Sequence, residues 1–223
     1  MRRVRDDFRL DAAMRRFAAD PEASLTAGNG LLGELIEGWG NSGWSAQQDY
    51  LRACLEAALT TSGPILECGS GLSTLLLGAV ARQRGCEHWA LEHMEPWAAK
   101  IEKCVARHDL RATRICVAPL RRYAGFDWYD PPLASMQRAF SLVVCDGPPA
   151  HTRGGRYGLL PVMRNHLAPG CVILLDDAER EHERAIAWRW QAEAGASHEV
   201  VQGAKPFIRL VMAASAMPLR RAG

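Results

Sequence analysis

From Pro64 onward, short apolar runs alternate with stretches whose apolar residues recur at helical spacing. Ile65–Cys68, His88–Glu92, Arg114–Ala118, Phe140–Cys145 and Val172–Leu175 read as strands. The stretches between them, Ser73–Gln83, Glu95–His108, Tyr157–Leu167 and Glu179–Ala194, read as helices. Runs that are apolar at consecutive positions suit strands covered on both faces. The alternation therefore predicts an α/β, doubly wound parallel sheet with helices on both sides. Pro169-Gly170 reads as a turn that feeds the fifth strand. Glu199–Gln202 and Phe207–Met212 flank Gly203-Ala204-Lys205-Pro206 and read as a terminal hairpin.

The region before Pro64 has a different character. Leu10, Met14 and Phe17 recur at helical spacing among charges, and Asp20-Pro21 ends that helix. Leu32, Leu35, Ile36 and Trp39 mark a second short helix, followed by the breakers Gly38, Gly40, Asn41 and Gly43. A third helix begins at Ser45, where Ser45 and Gln48 have the spacing of a capping box. Its apolar face is Leu51, Cys54, Leu55, Ala58 and Leu59, and Thr61-Ser62-Gly63-Pro64 stops it. We divide the chain into a helical N-terminal extension, residues 1–43, and a main domain, residues 44–223. One connection is long: Leu120 to Arg138 carries Phe126-Asp127-Trp128-Tyr129-Asp130-Pro131-Pro132. It reads equally as a lid or binding loop and as an insertion packed on its own aromatics.

Composition narrows the classes. The chain has 223 residues, 48% hydrophobic and 23% charged, with net charge +2, which is ordinary for a globular domain. The first twenty residues carry six Arg against four Asp, and Arg220 and Arg221 add two charges, so residues 21–219 are net −2. A slightly acidic domain argues against nucleic acid as the main partner. Seven cysteines, none in a C-x-x-C spacing and several inside apolar runs, read as buried free thiols in a reducing compartment. The N-terminus lacks the apolar stretch of a signal peptide, and no run reaches the length of a membrane span. These features predict a cytoplasmic protein with no membrane partner.

The chemistry concentrates where the first strand meets its helix, at Glu67-Cys68-Gly69-Ser70-Gly71-Leu72-Ser73-Thr74. Glycines there admit a ligand close to backbone N–H groups, and the helix N-terminus favours a carboxylate or phosphate. A dinucleotide motif wants a third glycine where Thr74 stands, and Glu67 would face a phosphate-rich ligand badly. An acid at Glu67 suits a ligand with positive charge, an amino group or a sulfonium. Glu92 closes the second strand, where a carboxylate can accept both ribose hydroxyls of an adenosine. Glu67, Gly69-Ser70-Gly71 and Glu92 form a matched set for S-adenosylmethionine.

With these residues, Pro64 to about Ala194 resembles the class I S-adenosylmethionine-dependent methyltransferases, most closely a bacterial branch with a generic methyltransferase domain. The matching pieces are Leu66 to Thr74, Leu91-Glu92-His93 with Trp97, and Val117-Ala118-Pro119-Leu120. Trp128-Tyr129-Asp130, Asp146-Gly147-Pro148-Pro149 with Arg156-Tyr157, and Leu174-Leu175-Asp176-Asp177-Ala178 complete them. The resemblance implies a Rossmann-like methyltransferase fold, with a seven-stranded, mostly parallel sheet whose last strand is antiparallel. It implies that Glu67, Gly69, Ser70 and Gly71 hold the methionine part of the cofactor, with Ser73 also among the cofactor-binding residues. Glu92 would hold the ribose, His93 would lie beside the adenine, and Ala118, Pro119 and Leu120 would flank it. Trp44-Ser45 would close over the cofactor; the alternative for Ser45, a plain helix cap, is preferred.

Asp146 ends the fourth strand, where acceptors meet the cofactor in this fold, and is assigned to cofactor binding and catalysis; a plain turn-capping role is the alternative. Asp146, Asp176 and Asp177 are the candidate metal ligands. Catechol O-methyltransferase-like enzymes place magnesium at this position, yet they carry a lysine soon after the first aspartate, where this chain has Pro148-Pro149-Ala150-His151. Capping of the helix near Glu179 is the preferred reading of Asp176-Asp177, and magnesium is not favoured. His151 is the candidate general base, with a surface-loop histidine as the alternative. Arg153 and Arg156 read as binding an acidic substrate or as solvated. Trp188 and Trp190 cannot share a helix face, so one is buried and the other meets solvent or a partner.

The expected function is S-adenosylmethionine-dependent methyl transfer to an oxygen or nitrogen of a small-molecule acceptor. The rivals are an NAD-dependent oxidoreductase on a similar sheet and a non-catalytic S-adenosylmethionine binder. The oligomeric state stays open, with a dimer among the options.

Overall fold

The structure, a computed structural model, describes residues 2–40 and 46–214. Its strands are β1 (Ile65–Cys68), β2 (His88–Glu92), β3 (Thr113–Val117), β4 (Leu120–Arg122) and β5 (Asp127–Tyr129). β6 (Phe140–Cys145), β7 (Leu167–Leu175), β8 (Ser197–Val201) and β9 (Phe207–Val211) follow. The helices are α1 (Arg2–Ala19), α2 (Leu31–Trp39), α3 (Gln48–Thr60), α4 (Leu72–Arg84), α5 (Glu95–Arg107), α6 (Leu159–Met163) and α7 (Glu181–Ala194).

Seven strands form one sheet in the order β3-β2-β1-β6-β7-β9-β8. Neighbours from β3 to β7 are parallel, and β9 runs antiparallel to both β7 and β8. The last strand in sequence is thus the one reversed strand, as expected, and β8 forms the edge beyond it. All residues of β1 and β2 are buried, which explains their continuous apolar runs. Leu66, Cys68, Val143, Cys145, Ile173 and Leu175 face a core shared with α7 and with Trp128. Ile65, Leu142, Val144 and Leu174 face the other core, built with α1 to α4. Leu10, Met14, Phe17, Leu32 and Leu35 belong to that second core, so the helical extension is packed onto the domain.

Chain order reverses between β1 and β6. The carboxyl ends of these adjacent parallel strands meet at Cys68 and Cys145. In a doubly wound sheet this is where a ligand crevice opens.

Several expected elements are displaced. The third helix starts at Gln48, with Gln47 as N-cap and no side-chain capping bond, while Ser45 lies outside the described residues. The helix expected over 157–167 breaks into a 3-10 turn at Gly155–Gly158, the short α6, and a second 3-10 turn at Arg164–His166. Pro161 sits inside α6 and has no N–H to continue the ladder. Pro169-Gly170 is no turn before a strand but a bulge within β7. Phe140 pairs with Leu167 and Leu142 with Val172, so Ser141 faces four residues of β7. Gly170, at φ 73°, absorbs the excess.

The Leu120–Arg138 insert contains the β4–β5 hairpin, paired antiparallel from Leu120 opposite Tyr129 to Arg122 opposite Asp127. Tyr123 stacks on Phe126 at 5.1 Å, and Trp128 and Tyr129 are fully buried, so its aromatics pack against one another and the core. Trp190 is buried and donates to the Tyr157 carbonyl at 3.0 Å, while Trp188 is 62% exposed. Cys54, Cys68, Cys86, Cys116, Cys145 and Cys171 are free thiols. No helix among the described residues is long and apolar enough to cross a membrane.

Candidate active site

The turn after β1 is tied to the turn after β6. The N–H groups of Asp146 and Gly147 both donate to the Cys68 carbonyl, at 3.1 and 2.7 Å, and Gly69 N–H donates to Leu91. Gly69 has φ 90°, and a Cβ there would sit 3.3 Å from Gly147 N, so both conformation and space require glycine. Gly71 caps α4 with extended backbone, its N–H donating to Thr74 Oγ1 at 2.9 Å. Nothing lies within 4 Å of the place a Cβ on Gly71 would occupy. Trp97 Nε1–H donates to the Ser70 carbonyl at 2.9 Å and braces the turn from α5.

Between these turns lies a cleft of about 220 Å³. Gly69, Glu92, His93, Tyr129, Asp146 and Lys205 are among its walls. Glu92 accepts from Ser70 Oγ at 2.7 Å and from Met94 N–H at 2.9 Å, and His93 Nδ1 lies 3.1 Å away. Burial pushes its carboxyl up, but the bonds from His93, Met94 and Ser70 outweigh this and hold it below the usual glutamate range. Tyr129 is fully buried and its hydroxyl has no hydrogen-bond partner in the structure. Burial lifts that phenol well above its ordinary range, so it stays a neutral donor on a residue that borders the cleft.

Of the residues expected around a ligand, Gly69, Glu92, His93 and Asp146 line this cleft. Others are engaged elsewhere. Glu67 is 2% exposed and accepts from Ser73 Oγ at 2.5 Å, with His88 Nε2 3.3 Å away. Glu67 and Ser73, both expected at the cofactor, hold each other beneath the turn in this structure. The acid also faces a histidine of the neighbouring strand. Ser70 reaches the cleft indirectly, through Glu92. Pro119, between β3 and β4, and Leu120, the first residue of β4, are exposed and not among the cleft walls. His151 is exposed, one residue past the cleft-lining Ala150.

The acidic end of the cleft differs most from expectation. Asp176-Asp177 do not cap α7, whose N-cap is Arg180 with no side-chain cap bond. Arg156, 2% exposed, is neither solvated nor free for a substrate. Its Nη2–H groups donate to Asp146 Oδ1 at 3.0 Å and Asp177 Oδ2 at 2.5 Å, and Nη1–H donates to the Asp176 carbonyl at 2.8 Å. Arg180 Nη1 lies 2.6 Å from Asp177 Oδ2. Lys205 Nζ lies 3.2 Å from Asp176 Oδ2 and also pairs with Asp177 Oδ1. Arg153 pins the β4–β5 hairpin by donating to the Tyr123 and Phe126 carbonyls.

These contacts set the titration of the acids. Withdrawal from water raises Asp146 to about 7, with Arg156 opposing and Asp176 and Asp177 adding. Asp177 is held low, because Arg156 and Lys205 together outweigh its burial. Sequence reasoning missed Tyr129, Arg180 and Lys205 as cleft residues. Lys205, one of three lysines, carried only the weak signal of standing between two strands of a hairpin.

A family model described as a methyltransferase domain matches residues 66–178. No curated protein matches. Among solved structures, this chain is similar to an O-methyltransferase from Bacillus cereus crystallised with SAH, at 17% identity and TM-score 0.60, covering 89% of this chain and 99% of that one. A methyltransferase from Geobacter sulfurreducens shares 14% identity at TM-score 0.55, covering 92% and 89%. The C-terminal domain of a precorrin-6Y C5,15-methyltransferase from Rhodobacter capsulatus shares 14% at TM-score 0.55, covering 79% and 94%.

Proposed function

The chain belongs to the methyltransferase-domain family, and on that premise we propose that it binds S-adenosylmethionine at the β1/β6 crossover and methylates an oxygen of a small-molecule acceptor. One observation carries the reading. A buried, ionised Glu92 shares a cleft with a glycine turn that leaves open space at Gly71. The unpartnered Tyr129 hydroxyl in the same cleft adds a donor for a ligand.

Bound S-adenosylmethionine supplies a methyl group on a sulfonium, which passes in line to an acceptor lone pair while the breaking bond's electrons stay on sulfur. The chain's residues then have to align and desolvate. Gly69, Ser70 and Gly71 would offer backbone to the amino-acid end, and Glu92 would accept from the ribose hydroxyls. His93, Pro119 and Leu120 would border the adenine, and Ser45 would close over the cofactor. Asp146 would take the acceptor's proton, which suits a carboxyl raised to about 7. His151 is the second choice, being exposed outside the cleft.

The acid's sign fixes the expected pH profile. Asp146 is a base only when ionised, so methyl transfer should rise as pH increases through about 7 and level off above it. The profile is measured with any acceptor that an activity screen yields. Asp146→Asn should remove that limb; an unchanged limb assigns the proton to another group.

Gly71→Val should leave the fold intact, since its Cβ meets nothing within 4 Å and its φ is extended. It should weaken S-adenosylhomocysteine binding by about tenfold or more, as a branched side chain fills the backbone approach. Calorimetry on the variant, with its melting curve as the fold control, checks this. Wild-type affinity would place the ligand elsewhere.

A dinucleotide oxidoreductase fits poorly. Thr74, where its motif wants glycine, is buried with its hydroxyl tied to Gly71. Stabilisation by S-adenosylhomocysteine and not by NAD in a thermal-shift comparison is the expected result. Stabilisation by NAD alone would overturn the proposed function. Turnover of any acceptor excludes a purely binding protein.

A further inference from the structure

Asp146, Asp176 and Asp177 present carboxylate oxygens within 4.8 Å of one another at the ends of β6 and β7. Hard oxygen ligands at such spacing are what magnesium or manganese takes. The surroundings do not fit a divalent ion. Arg156 is buried, reaches Asp146 and Asp177 from one side, and cannot give up its proton. Lys205 enters from the opposite direction in sequence, on the bend between β8 and β9, and its Nζ joins Asp176 to Asp177. Arg180 reaches Asp177 Oδ2, which Arg156 also holds. Four acidic side chains, Asp146, Asp176, Asp177 and Glu183, thus share three cationic ones, Arg156, Arg180 and Lys205. A divalent ion placed among these carboxylates would compete with lysine and guanidinium for the same lone pairs and be repelled by both.

We propose that the Lys205 ammonium stands in place of a divalent cation among Asp146, Asp176 and Asp177, so that the acceptor side of this cleft works without metal. The acceptor side is so named on the methyltransferase reading above. Lys205 suits the task better than Arg156. Its side chain is 24% exposed against 2% for Arg156, so its head borders the open cleft. An ammonium has three donors, and two of them are engaged by Asp176 and Asp177.

The test is a Mn²⁺ titration of the full chain, followed by electron paramagnetic resonance of the free ion. Wild type and Lys205→Arg should show no saturable site that depends on the aspartates. Lys205→Ala removes the competing charge, and should bind one Mn²⁺ about tenfold or more tightly than wild type. Adding Asp176→Asn to that variant should abolish the gained site. Lys205→Gln, closer in size, provides the same comparison if the alanine variant melts early. One Mn²⁺ bound by wild type and lost in Asp176→Asn overturns the proposal. So does a Lys205 vacancy, in either variant, that gains no Mn²⁺. Calorimetry with S-adenosylhomocysteine on the same samples separates the two ideas. Failure to bind it sinks the methyltransferase reading while leaving the cation assignment standing, and Mn²⁺ in wild type does the reverse.

Discussion

Arg156→Met should lower the unfolding free energy by about 3–5 kcal/mol, the cost of leaving buried carboxylates without their cation. The guanidinium is 2% exposed, so solvent does not screen it. It joins the ends of β6 and β7 by donating to Asp146 Oδ1, Asp177 Oδ2 and the Asp176 carbonyl, and Glu183 Oε1 lies 3.9 Å away. Glu183 is fully buried and Asp177 is 3% exposed. Removing one arginine therefore takes a cation from Asp146, Asp177 and Glu183 at once, leaving Arg180 as the ion-pair partner of Glu183 and Arg180 with Lys205 as those of Asp177. At roughly 2–4 °C per kcal/mol for a chain of this size, the melting temperature should fall by about 6–20 °C. Lys205 and Arg180 still face Asp177, which sets the effect toward the lower end of that range. Arg156→Lys should fall between, because a lysine keeps the charge but loses the planar fork that serves several acceptors at once. Guanidinium-induced unfolding of both variants measures this. A loss under about 1 kcal/mol for methionine would show that the carboxylates are protonated or hydrated in the native state.

That network also marks the limit of what the chain shows on its own. The strands β1, β2 and β6 are legible because strands buried on both faces are mostly apolar, with Glu67, His88, Glu92 and Ser141 as the polar exceptions. The glycine turn is legible because only glycine meets the demands at Gly69, and Glu92 and Asp146 because they end those strands. Arg156 reaches Asp177 across 21 positions and Lys205 reaches Asp176 across 29, and no local pattern encodes such pairs. Glu67 is legible as a position, but its contacts with His88 and Ser73 follow from the strand face it takes, because side chains alternate across a strand. Pro169-Gly170 carries turn chemistry, yet the same φ above zero serves a bulge when pairing resumes beyond it.

Glu92→Ala should raise the dissociation constant for S-adenosylhomocysteine by about 5–150-fold, the roughly 1–3 kcal/mol of hydrogen bonds to a charged group. The physical basis is the state in which the carboxylate waits. Its own surroundings keep it ionised: His93, the Met94 N–H and the Ser70 hydroxyl all stabilise the charge against burial. An ionised carboxylate is acceptor-only, with about four lone-pair sites, so it can take the two hydroxyls of a ribose while keeping its bond to Met94. Ser70 is the partner most easily exchanged, because its bond is side chain to side chain at the edge of the glycine turn. Alanine removes the acceptor and also frees Ser70 and Met94, so part of any loss arises from the turn itself. Glu92→Gln separates the two contributions. Its carbonyl oxygen still serves the Met94 N–H, but its amide donates where the ribose also donates. Should Glu92 hold the ribose, the glutamine variant keeps its melting temperature and loses most of the affinity that alanine loses. If glutamine instead binds like wild type, Glu92 only shapes the turn, and the ribose is held by other groups of the cleft.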